Sequence, residues 1–64
     1  MEQIKKIAVL PNDQIFVTYS DESKYFGYIC KEINAKELSQ ILEENENQIK
    51  RWSLVGNIQI INFK

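Results

Sequence analysis

Histidine is absent from this 64-residue chain, cysteine and proline occur once each, and glycine only twice. Each scarcity closes a class of function. Without His the commonest base at neutral pH is missing, so any nucleophile would need Lys or a carboxylate to activate it, and no catalytic set stands out. Cys30 alone cannot form an intrachain disulfide, which fits a reducing compartment and points to the cytoplasm. A lone thiol without His also leaves no structural zinc site in a monomer, and the spacing of the carboxylates matches no calcium loop. With so few glycines there is no glycine-rich phosphate loop, and neither a metal nor a cofactor is expected.

Charge of one sign is missing too. Eight Lys and Arg stand against nine Asp and Glu, a formal net charge of −1. No overall field exists to hold a phosphate backbone, so nucleic-acid binding would need a local patch. Long apolar runs are also absent. The N-terminal run Ile7-Ala8-Val9-Leu10 ends at Pro11, unlike a signal peptide, and nothing approaches the roughly 18 residues of a membrane span. No membrane partner is expected.

What is present suits a compact globular domain: 44% hydrophobic and 27% charged residues. Residues 1–64 are expected to form a single small domain. A chain of this size buries only about 60% of its unfolded surface, enough for one sheet with one helix on it and too little for most enzymes.

Ile7, Val9, Ile15, Val17 and Tyr19 recur at period two around Pro11-Asn12-Asp13, which reads as a hairpin. A second break at Ser20 to Ser23 leads into Lys24-Tyr25-Phe26-Gly27-Tyr28-Ile29-Cys30, rich in residues that suit a pleated surface. The pattern predicts an antiparallel β-meander of three N-terminal strands. With the second turn centred on Asp21-Glu22, Val17 falls opposite Phe26 and Ile15 opposite Tyr28. One face then carries Ile7, Val9, Ile15, Val17, Phe26 and Tyr28, and the other carries Ala8, Phe16, Thr18, Tyr25 and Ile29.

The helix has the best local signal. Asn34 can cap the amide of Glu37 while Glu37 reaches back, Ile33 and Leu38 sit at staple positions, and Leu38, Ile41 and Leu42 form an apolar stripe. Its acidic outer side, with Glu37, Glu43, Glu44 and Glu46, reads as a solvated face. The helix is expected to pack on the sheet and to stop near Asn45 to Asn47. Beyond it, Gly56-Asn57 between two apolar segments suits a tight hairpin. The competing reading continues the helix to Trp52 and leaves a single final strand. The fold class is therefore α+β: a meander, a capped helix on the sheet, and a C-terminal strand or hairpin.

One string has a counterpart elsewhere. Lys24-Tyr25-Phe26-Gly27-Tyr28-Ile29 resembles the basic-glycine-aromatic strand of RNA-recognition motifs and cold-shock domains, in which strand aromatics stack on bases. The resemblance covers about fourteen residues, extending weakly back through Tyr19, and implies a single-stranded nucleic-acid site of Tyr19, Lys24, Phe26 and Tyr28. Tyr25 stands in place of the motif's first glycine, and the face assigned to Phe26 and Tyr28 is also the seat of the helix. Lys50-Arg51-Trp52 reads as a solvated strand edge whose cations discourage pairing.

The face with Ala8, Phe16, Tyr25 and Ile29 is apolar and aromatic. Either it stays open as a protein interface, or the C-terminal hairpin folds across and buries it. The first alternative makes the protein a small non-enzymatic binding module that occupies the surface of a protein partner or of a second copy. Homodimerisation through this face or a free strand edge would add the burial a monomer lacks. In size and in its abundance of Asn, Ile, Lys and Glu, the chain resembles accessory proteins of phages and mobile elements that inhibit or adapt host machinery.

Overall fold

The computed structural model describes residues 2–21 and 27–64. The chain forms β1 (Glu2–Val9), β2 (Ile15–Asp21), β3 (Gly27–Ile33), the helix α1 (Ala35–Glu44), a short 3-10 turn (Glu46–Gln48), β4 (Ile49–Val55) and β5 (Ile58–Phe63). The strands make one antiparallel sheet in the order β3-β2-β1-β5-β4. This is the expected α+β fold, with the meander at one side and the hairpin at the other. The helix carries the chain from one edge strand to the opposite one.

Turn chemistry explains the hairpins of β1 with β2 and of β4 with β5. In the first, the Leu10 amide donates to the Gln14 carbonyl at 2.8 Å and the Asp13 amide to the Leu10 carbonyl at 3.2 Å, with Pro11 pre-setting the backbone between them. Asp13 then takes φ 66°, the left-handed residue that three-residue hairpin loops require. In the second, Gly56 has φ 63° while Asn57 does not turn positive, the pattern of a type II′ turn with glycine first.

Each of β1 and β4 carries one extra residue. Ile4 pairs with Tyr19 and Lys6 with Thr18, leaving Lys5 as a bulge. Ile49 pairs with Phe63 and Arg51 with Asn62, leaving Lys50 as a second one. A bulge shifts the two-residue alternation by one, so Ile4 and Ile7 share a face although three positions separate them. Ile49 and Trp52 are related in the same way.

That shared face holds the core. Ile7, Ile15, Val17, Ile33, Ile61 and Phe63 are buried, and Leu38, Ile41 and Leu42 of α1 pack on them together with Ile4, Val9, Tyr19 and Ile49. The helix is stopped and started locally. Asn34 accepts from the Glu37 amide at 2.8 Å, and both staple residues, Ile33 and Leu38, belong to the core set. At the far end the backbone and side-chain amides of Asn45 both donate to the Ile41 carbonyl at 2.9 Å, ending the helix where expected.

The register between β2 and β3 differs from the expected one. Ile15 pairs with Ile33 and Val17 with Lys31, rather than with Tyr28 and Phe26. The connection spans more residues than a turn centred on Asp21-Glu22, and the change in pairing parity exchanges the faces of every β3 position. Ile29 consequently pairs with Tyr19, in a row of the helix face rather than beside Phe16, and Tyr28 pairs with Ser20. The hairpin of β4 and β5 does not fold across the second face but extends the sheet in its own plane through β5 and β1.

Candidate interaction surfaces

With α1 on one side, the other side of the sheet is left without a covering element among the described residues. The register reads it row by row. Glu32, Phe16, Ala8, Ile60 and Ser53 stand side by side across all five strands. The next row is Cys30, Thr18, Lys6, Asn62 and Arg51. Phe16, Ala8 and Ile60 are half-buried by one another and by their strand neighbours, while Lys6, Cys30 and Arg51 are exposed. The result is an apolar, aromatic centre flanked by two cations and one carboxylate, the composition of an interface core with a polar rim.

Ala8 and Phe16 thus share a face, as the sequence predicts, and of the two alternatives for that face the C-terminal hairpin does not fold across it. Ile29 lies in a row of the opposite face, and Tyr25 falls outside the described residues. The nucleic-acid set is not assembled on one face. Tyr19 belongs to the helix side, where it packs on the core, and Tyr28 pairs in a row of the other side. Lys24 and Phe26 fall outside the described residues.

Under the C-terminal end of α1 lies a cleft of about 370 Å³ lined by Gln3, Ile4, Tyr19, Asn45, Gln48, Phe63 and Lys64. Its described lining combines apolar and aromatic side chains, Ile4, Tyr19 and Phe63, with the amides of Gln3, Asn45 and Gln48 and the amine of Lys64. Among the described residues no three of His, Cys, Asp or Glu come close enough to hold a metal ion, and no helix is long and apolar enough to cross a membrane.

What sequence reasoning missed is the apolar surface of the edge strand β4, which it read only as a cationic strand edge at Lys50-Arg51-Trp52. Trp52, Leu54 and Val55 are 59%, 68% and 61% exposed, and they are the exposed large hydrophobics of the described residues. Trp52 lies on a strand, as the favoured reading expects, and not on the helix extension of the competing one. The signal that could have found it is the uncharged run Trp52-Ser53-Leu54-Val55 directly before the glycine turn.

Compared with known proteins, the chain matches no family model, no curated protein and no solved structure.

Proposed function

We propose that this protein is a small non-enzymatic binding module that acts by occupying a surface of a larger protein, in the manner of an inhibitor or adaptor. The observation that carries this reading is the open sheet face on which Phe16, Ala8 and Ile60 stand side by side. A half-buried aromatic at the centre of an apolar row, ringed by Lys6, Arg51 and Glu32, is the kind of anchor on which binding energy concentrates. The lone exposed Cys30 suits action in a reducing compartment such as the cytoplasm.

The test compares immobilised wild-type protein with Phe16→Glu and Ala8→Glu variants in cell extracts. A partner retained by the wild type and lost by both variants, with their circular dichroism unchanged, supports the reading. Identical retention by all three removes it. A second reading, single-stranded nucleic-acid binding, draws on Lys6 and Arg51 flanking Asn62 in the row next to Phe16. It requires that an oligonucleotide at low salt quench the intrinsic fluorescence, with binding that weakens steeply as salt rises.

A further inference from the structure

We propose that two copies of this chain pair through the open edge of β4, antiparallel and centred on Ser53, to make one continuous sheet. The inference does not depend on the Phe16 face being a docking surface: it rests on the open backbone edge of β4 and on Trp52 and Leu54 of the helix side, although Ser53 and Arg51 also border the Phe16 face.

The argument begins with the backbone. Val55 and Ile58 close the two-residue turn and so exchange backbone hydrogen bonds with each other. Pairs alternate along an antiparallel ladder, which makes Leu54 opposite Gln59 and Trp52 opposite Ile61 the pairs that do not bond to each other. The N–H and C=O groups of Trp52 and Leu54 therefore point away from β5, into the open edge. An edge of this kind is a template for another strand.

Side chains select the partner and the register. A twofold pairing must match faces and outward-pointing groups, which restricts its centre to a single residue paired with itself. Centred on Ser53, Trp52 lies opposite Leu54 of the second copy on one face, and Val55 lies opposite the Arg51 stem on the other. All three exposed large hydrophobics of the described residues are covered at once. Aromatic against aliphatic is among the favourable cross-strand pairs.

The cations decide between neighbouring registers. Lys50 and Arg51 occupy the start of β4, and the strand contains no acidic residue. About a Ser53 centre the two Arg51 positions are offset by four residues, about 14 Å along the strand, beyond the screening length of about 8 Å at physiological salt. About a Trp52 centre the offset falls to about 7 Å, within that length, so like charges repel. About a Leu54 centre Trp52 meets Gly56, and its ring gains no partner. The cations that guard one half of the edge thus leave a single favourable register on the other half.

The Ser53 centre makes a sharp test possible, because Ser53 faces its own copy in a non-bonded pair, where Cα atoms lie about 4.5 Å apart, within disulfide reach. In a Cys30→Ser background, Ser53→Cys is expected to give a disulfide-linked dimer on mild oxidation, while Arg51→Cys stays monomeric. Light scattering of the wild type should show mass rising toward a dimer with concentration, and Trp52→Lys should raise the dimer dissociation constant at least about tenfold with unchanged circular dichroism. A wild type that stays monomeric at millimolar concentration overturns the proposal. So does equal cross-linking of the two cysteine variants, or a dimer that Trp52→Lys leaves intact and Phe16→Glu abolishes.

Discussion

Ile7 and Ile61 stand directly opposite each other in the β1 and β5 pair, and they are 0% and 1% exposed. This contact joins the N-terminal meander to the C-terminal hairpin at the point where the helix covers the sheet.

Truncating either side chain should be close to lethal for the fold. Ile61→Ala is expected to cost about 2–5 kcal/mol through lost burial and a residual cavity. A domain this small holds only a few kcal/mol in total. Urea unfolding at 25 °C should show Ile61→Ala largely unfolded without denaturant, and Ile7→Val folded with about 1 kcal/mol lost.

Asn34→Ala removes the acceptor of the Glu37 amide and should lower stability by about 1 kcal/mol, while Asn34→Ser or Asn34→Asp should retain most of it. Thermal unfolding followed by circular dichroism separates the three variants. Equal melting temperatures would show that the cap contributes nothing.

Gly56→Ala isolates a purely conformational cost. Nothing lies within 4 Å of an added methyl group there, so only the φ of +63° opposes the substitution. A loss of about 1 kcal/mol is expected. Asp13, also left-handed, should accept Gly with little change and lose about 1–2 kcal/mol on replacement by Val. Chemical denaturation of the set checks the ordering.

Deletion of Lys5 should be tolerated and deletion of Ala8 should not. Removing the bulged residue leaves Ile4 opposite Tyr19 and Lys6 opposite Thr18 in an ordinary ladder. Removing Ala8 shifts part of β1 by one position and turns Ile7 away from the core. Amide exchange or near-ultraviolet dichroism should report a native-like fold for the first deletion alone.

The parts of the fold legible in the sequence are those set by neighbours in the chain. Asn34, Glu37 and Leu38 announce the helix start within one turn, Asn45 its end, and Gly56-Asn57 the second hairpin. Register is different, because it depends on connection length. The pattern of Lys24 to Cys30 fits a strand equally well at two parities, and the one adopted moves Ile29 into the row of Tyr19. The bulges at Lys5 and Lys50 were equally hidden, since an extra lysine beside another cation, Lys6 or Arg51, leaves no local signature. Of the candidate interface, Ala8 and Phe16 were found because they flank a single hairpin. The β4 edge was seen only as the cation-guarded edge of Lys50-Arg51-Trp52 and not as an apolar surface, because which residues of a strand stay uncovered depends on the strand order, which the pairing of β5 with β1 decides.

That pairing has a kinetic consequence. The contacts of β1 with β2 and of β4 with β5 close short loops, whereas β1 meets β5 only after most of the chain has been spanned, the slowest kind of contact to form. Until it forms, the central strand is itself an unprotected edge, and the hairpin of another molecule fits it as well as its own. Refolding from denaturant should therefore yield hairpin-exchanged species in growing proportion as protein concentration rises.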